Sequence, residues 1–238
     1  MNPKKIVLTI FLFLLVIAAG VWSYYQKETK SMDVVVHDGE ISYVPIGDSY
    51  TIGNGLRTED RWPNVMTKRL NDAGIPIKLL ANPAVSGYTV EDALTQELPV
   101  IERLKPDFVT VFIGANDNFR GTPVATYEKE LKNLLDQIQS KLENPKNIVV
   151  ITIPDYSKSP ASAEYNTAGV SESIQSYNDI IKKEAEQRGL KVADIFPISQ
   201  TMTTDADFIS DGLHPSAQGT AKWEKVIFPV VLEKLKAN

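Results

Sequence analysis

The chain has no cysteine. That removes a disulfide framework, a thiolate nucleophile, a thiolate metal site and a lipid-modified cysteine as anchor, so stability has to come from packing alone. Histidine is nearly as scarce, with His37 and His214 the two present. One rim histidine and scattered aspartates are too few ligands for a metal hydrolase. No serine lies in G-x-S-x-G, which disfavours the larger α/β-hydrolase fold. Gly53-Asn54-Gly55 superficially suggests a dinucleotide loop. Thr58, however, stands where the third glycine of G-x-G-x-x-G belongs, and no Walker lysine follows a glycine loop. Basic charge is lacking too. The formal net charge is −5, and residues 1–30 hold four lysines against one glutamate, which leaves the remainder at −8. Such an acidic body argues against nucleic acid as a partner. Low complexity and internal repeats are also absent, and 238 residues at 43% hydrophobic content suit one well-packed domain.

The long apolar run is at the amino end. Lys4 and Lys5 precede an uncharged stretch from Ile6 to Trp22 that contains Ala18-Ala19-Gly20. Residues 1–25 thus read as a secretory signal peptide, cleaved after Gly20, or as an uncleaved membrane anchor. The run is long for a signal's apolar region and reaches the lower limit for a span, which favours the anchor. In that case the segment is the chain's contact with the membrane. The lysines on its amino side predict an extracytoplasmic body, secreted or anchored. Residues 26–40 form a polar connector, in which His37 reads as a solvated residue. Residues 41–238 form the domain.

From Ile41 onward, short apolar runs alternate with amphipathic helical ones. Strands are expected at 41–46, 77–81, 108–113, 148–153 and 191–195. Helices are expected at 61–73, 90–104, 123–142, 171–188 and 217–235, with Thr89 capping the second and Pro99 kinking it. Short, nearly all-apolar strands between helices are buried on both faces. The fold class is therefore a three-layer α/β/α sandwich with a mostly parallel sheet of about five strands, flavodoxin-like. In such a sheet the loops after the strands' carboxyl ends meet on one rim. Those loops are 47–55, 82–88, 114–121 and 205–214.

The first of them follows Tyr43-Val-Pro-Ile, where Gly47-Asp48-Ser49 abruptly ends an apolar run. A serine at a strand's end is a candidate nucleophile, provided that a base removes its proton. His214 lies in Asp211-Gly-Leu-His214-Pro215. An aspartate three residues before a histidine, across a glycine turn, can accept the Nδ1 proton and leave Nε2 to take one from serine. Pro215 is suited to start the last helix. Acyl transfer also needs donors aimed at the developing oxyanion. Ser86-Gly87 and Gly114-Ala115-Asn116-Asp117 offer a backbone N–H at a glycine and a side-chain amide. Read singly, each of these motifs is also an ordinary turn, loop glycine or helix entry.

Together, Gly47-Asp48-Ser49, Gly87, Gly114-x-Asn116-Asp117 and Asp211-x-x-His214 resemble the four ordered blocks of the SGNH, or GDSL, hydrolase family. The resemblance runs from about Tyr43 to the carboxyl end. It implies a Ser-His-Asp triad of Ser49, His214 and Asp211. It also implies an oxyanion hole of the Ser49 and Gly87 backbone amides with the Asn116 side chain. Neither metal nor organic cofactor is implied. Tyr50 departs from the family's namesake motif, which has leucine there, and this bears on pocket shape.

The implied function is a serine esterase or acylhydrolase that cleaves carboxylic esters through an acyl-enzyme. Its partner is a small-molecule, lipid or glycan ester. Membrane proximity favours lipase-like or lysophospholipase-like substrates, whereas an extracellular address equally suits a carbohydrate O-acetyl esterase on wall polysaccharides. A catalytically silent surface binding protein is the remaining alternative, though its signature, a lost triad member, is absent. The Ser- and Ala-rich stretch 156–173 reads as an inert surface loop rather than a flap over the acyl site.

Overall fold

The computed structural model describes residues 39–164 and 167–237. The expected signal or anchor, His37 and most of the connector lie outside the described residues. Among the described residues, no helix is long and apolar enough to cross a membrane.

Five strands form one sheet: β1 (Ile41–Gly47), β2 (Ile77–Leu79), β3 (Phe108–Phe112), β4 (Ile148–Ile151) and β5 (Lys191–Ala193). Their order is β2-β1-β3-β4-β5, and every neighbouring pair is parallel. The three-layer flavodoxin-like expectation is met. Four strands end earlier than their apolar runs. Ile113, Ile153 and Ile195 are buried just past the ladder, so their hydrophobicity reports burial in core-facing turns rather than pairing.

One face of the sheet carries α2 (Trp62–Asp72) and the carboxyl-terminal α9 (Ala217–Lys236), which pack on each other. An ion pair between Arg69 and the buried Glu224 joins them, and the Arg69 guanidinium sits 3.9 Å over the Phe228 ring. The other face carries α3 (Val90–Asp92), α4 (Leu98–Leu104), α6 (Val124–Lys141) and α7 (Val170–Arg188). Their inward rows are apolar at helical spacing, as in Tyr127, Leu131, Leu134, Leu135 and Ile138 of α6, all buried. Each such side chain contributes roughly 1.5–3 kcal/mol by leaving water.

Two helix expectations are refined. The helix expected over 90–104 is interrupted by a π turn, Ala93–Glu97, in which Leu98 N–H bonds to the carbonyl of Ala93. Pro99 has no N–H to give, and the extra residue one turn upstream absorbs the irregularity. Pro215 does not start the last helix. Ser216 caps it, its hydroxyl accepting from Gly219 N–H at 3.2 Å, because a side-chain acceptor satisfies a free helix donor and proline cannot.

The winding decides where the chemistry can be. From β1 the chain steps outward to β2, then crosses back to β3, β4 and β5. The β1–β3 boundary is therefore the point at which the order reverses. Gly47 is in register with Phe112, so the turns after β1 and β3 leave the sheet side by side.

Candidate active site

Ser49 opens α1 (Ser49–Ile52), the single turn that follows β1, and only 7% of it is exposed. Asp48 caps that turn. Its Oδ1 accepts from Tyr50 N–H at 2.9 Å, and its Oδ2 accepts from Asn116 Nδ2 at 3.3 Å. Burial pushes the Asp48 carboxyl up to about 7, and the neighbouring Asp117 carboxylate adds to the rise. Behind the turn, Glu97 on the π segment accepts from Gly47 N–H at 3.0 Å. It too is driven up by burial, to about 8. The Ser49 turn therefore rests on two carboxyls that burial drives toward the neutral form.

His214 is held by a tight loop. Phe208 and Pro215 form an antiparallel bridge, and Ile209 N–H donates to the carbonyl of His214 at 2.9 Å. Inside it, Asp211 folds back as its spacing suggests. Its Oδ1 accepts from Leu213 N–H at 2.8 Å and His214 N–H at 2.9 Å, and its Oδ2 lies 2.6 Å from His214 Nδ1. A carboxylate there keeps the proton on Nδ1 and leaves a lone pair on Nε2. Burial pushes the Asp211 carboxyl up, but the hydrogen bonds from the His214 ring and the two backbone N–H groups outweigh it and hold it below its ordinary range.

Gly87 sits at φ +89° in the turn after β2, a conformation that side chains rarely adopt. Its carbonyl accepts from Arg120 Nη2 at 2.7 Å. Asn116 lies on α5 (Ala115–Phe119). Gly114, at φ +121°, makes the turn into that helix, and a Cβ on it would meet Tyr127 Oη at 2.6 Å. Asn116 Nδ2 donates to the carbonyl of Tyr88 at 2.9 Å as well as to Asp48.

Ser49, Gly87, Asn116 and His214 line one pocket of about 180 Å³, with Tyr50, Phe119, Tyr156 and Leu213 in its walls. The residues singled out in the sequence are thus brought together, Asp211 from behind the imidazole. No hydrogen bond links Ser49 to the His214 ring among the described residues. Tyr50 shapes the floor: its ring stacks on Phe112 at 5.7 Å, meets Trp223 edge-on at 5.2 Å and lies 5.7 Å from His214. Leucine would forgo these aromatic contacts, each worth about 0.5–1.5 kcal/mol.

The sequence reading missed three contributors. Asn54 places Nδ2 3.3 Å from His214 Nδ1, and its Oδ1 accepts from Ser86 Oγ at 3.4 Å. Its signal in the sequence is Gly53-Asn54-Gly55, a glycine-flanked turn that brings the asparagine side chain toward the imidazole. Glu97 gave no signal, because its inward aim depends on the π turn. Tyr156 corrects the reading of 156–173 as inert, since it belongs to the pocket wall. Among the described residues, no group of three His, Asp or Glu side chains is arranged to hold a metal ion.

Carboxylate-backed imidazole, serine hydroxyl and amide donors around one small pocket suit acyl transfer from an ester, and a carboxylic ester hydrolase is the class that results. Comparison with known proteins narrows this further. Residues 46–222 match the GDSL-like Lipase/Acylhydrolase family, and the chain belongs to it. An arylesterase of Vibrio mimicus is 25% identical over 173 residues, 73% of this chain and 79% of that protein. Among solved structures, TesA aligns with a TM-score of 0.68 at 20% identity, covering 81% of this chain and 99% of TesA. The acetylxylan esterase Axe2 from Geobacillus stearothermophilus aligns at 0.64 with 18% identity, covering 83% and 95%. The two structures speak for the fold alone.

Proposed function

We propose that the chain is a serine esterase with Ser49 as nucleophile, His214 as base and Asp211 as the residue that orients and charges the imidazole. The observation that carries the reading is the 2.6 Å contact between Asp211 Oδ2 and His214 Nδ1, on a histidine that faces the same pocket as Ser49. His214 Nε2 takes the Ser49 proton as Oγ bonds to the ester carbonyl carbon. The carbonyl oxygen becomes an anion facing the Ser49 and Gly87 backbone N–H groups and Asn116 Nδ2. Asn116 has both amide protons engaged in the free enzyme, and the longer bond to Asp48, at 3.3 Å, is the one that yields. The C–O bond to the alcohol then breaks, with His214 returning the proton to the leaving oxygen. Water, activated by the same imidazole, releases the acid and restores Ser49. The missing Ser49–His214 bond suits this sequence, because such contacts tighten when substrate arrives.

The test is hydrolysis of p-nitrophenyl esters by the full-length chain beside Ser49→Ala. Turnover vanishes in the variant while circular dichroism and melting stay unchanged; hydrolysis persisting in Ser49→Ala sinks the assignment. No turnover at any chain length from folded protein would instead leave either a narrow polysaccharide ester as substrate or the silent binding protein.

A second reading, a carbohydrate O-acetyl esterase, is favoured by the size of the pocket at Ser49, about 180 Å³. It draws added support from the fold shared with Axe2, an acetylxylan esterase. Acetylated glycans hydrolysed far faster than any p-nitrophenyl ester would select it.

A further inference from the structure

The pocket at Ser49 has two neighbours. Behind Tyr156 lies a cavity of about 360 Å³ that shares Phe119, Tyr156 and Leu213 with it. At Ser86 it adjoins another, of about 320 Å³, in whose walls Gly53, Asn54 and Val85 meet Arg61.

The turn after α1 makes room for that arginine. Gly53 takes φ +71°, and a Cβ on it would meet Arg61 Cγ at 2.5 Å. The arginine stem is therefore packed against the glycine, while its head group is left uncommitted. Among the described residues no acid pairs with Arg61, and its buried Nε has no hydrogen-bond partner. The acids just before it in the sequence are taken, since Arg57 holds Glu59 at 2.9 Å and Asp60 at 2.8 Å. Arg120, the other arginine near the site, gives its Nη2 to the carbonyl of Gly87. Arg61 is thus a positioned cation without a counter-ion, in a protein body whose net charge is negative.

A guanidinium stays charged at any working pH. Its planar fork of donors matches carboxylate and phosphate oxygens two at a time. Ile52, Ala84 and Val85 put carbon into the same wall, and an ion pair is stronger where water is scarce. A neutral guest would leave the Arg61 donors as they are, whereas an anion completes them. Ser86 lines both this cavity and the pocket at Ser49, and Asn54 lies 3.3 Å from His214 Nδ1. A group seated at Arg61 therefore stays close to the bond being cleaved.

We propose that this cavity is a subsite for an anionic group, carboxylate or phosphate, carried by the ester substrate, with Arg61 as its counter-ion. The inference rests on Ser49 as nucleophile, and the anion belongs to either half of the ester, acid or alcohol.

The experiment measures kcat/KM with the full-length chain on two matched pairs of esters. Mono-p-nitrophenyl adipate against p-nitrophenyl hexanoate puts the charge on the acid half, and acetylglycerol phosphate against acetylglycerol puts it on the alcohol half. The wild type prefers the anionic member of one pair by about tenfold at low ionic strength, and the pair that responds tells which half enters the cavity. Arg61→Met keeps a stem against Gly53 and removes the charge, and Val85→Glu sets a carboxylate on a side chain that is 44% exposed at the rim. The preference disappears in both variants. Salt of about 1 M erodes it in the wild type and changes nothing in Arg61→Met. No preference in either pair, or the same preference in Arg61→Met as in the wild type, overturns the subsite. So does an equal loss on both members of a pair in Arg61→Met, which would make the arginine a support of the Ser49 turn. Should Arg61→Met fail to fold, Val85→Glu decides by the same ratios. Turnover surviving in Ser49→Ala removes the nucleophile and this inference with it, whereas turnover lost there with ratios indifferent to Arg61 removes the subsite alone.

Discussion

Two aspartates sit on either side of the pocket, and their surroundings push them in opposite directions. Asp48, 1% exposed beneath the Ser49 turn, is raised by burial to about 7. Asp211, 38% exposed at its side chain behind the imidazole, is lowered because its hydrogen bonds outweigh its partial burial. The same side chain thus serves as a scaffold in one place and a charge in the other. What separates them is the number of donors aimed at the carboxylate and the water left around it.

Removing the ring that faces Asp211 should show the largest effect. His214→Ala is expected to lower kcat about a thousandfold or more, with the fold retained, in stopped assays at saturating ester. A loss under about tenfold would mean another group takes the serine proton. Asp211→Ala follows at about a hundredfold, smaller because the Phe208–Pro215 bridge still holds the loop. A loss equal to that of His214→Ala would mean that the imidazole has no other support.

Asp48→Asn sharpens the contrast through stability. A carboxyl raised from 3.8 to about 7 on folding stabilises the protein fully below pH 4, and that contribution fades as pH rises through about 7. Asparagine does not titrate. The melting temperature of the variant should therefore gain on the wild type between about pH 4 and 7 and keep a constant difference above. A difference independent of pH would show that Asp48 ionises normally. Asp211 has the reverse sign: its contribution is present above about 3.8 and is lost as pH falls through its lowered value. The smallest effect is expected for Asn54→Ala, which removes an amide packed 3.3 Å from His214 Nδ1 without a hydrogen bond to it, since both nitrogens are donors when Nδ1 gives its proton to Asp211. A drop in kcat of about three- to tenfold with little change in KM is expected from the lost packing beside the ring. A change confined to KM would make Asn54 a substrate contact instead.

The catalytic proposal was legible because each of its parts is local. Asp211-x-x-His214 folds on itself within four residues, and Gly47-Asp48-Ser49 ends its own strand. The sheet was legible for a related reason: strands buried on both faces are written as apolar runs. Illegible features depend on what lies across the fold. Nothing near Glu97 in sequence says that it meets Gly47, since that contact spans 50 residues and needs an irregular turn. Tyr156 looks like any loop tyrosine until the crossover from β4 brings it to Asn118 and Phe119. Strand ends were overrun for the same reason, because burial and pairing diverge at the rim.

Tyr156 and the cavity behind it come from the segment after β4, whereas the proposed nucleophile, base and oxyanion donors come from the turns after β1, β2 and β3 and from the loop before α9. The segment after β4 thereby supplies one wall of these pockets, and Phe119 and Leu213, neighbours of the proposed reactive groups in the chain, supply the facing one. A transplant of residues 154–173 from a relative would therefore recast one wall while Ser49, His214 and Asn116 keep their places, which makes this segment a natural handle for redesign.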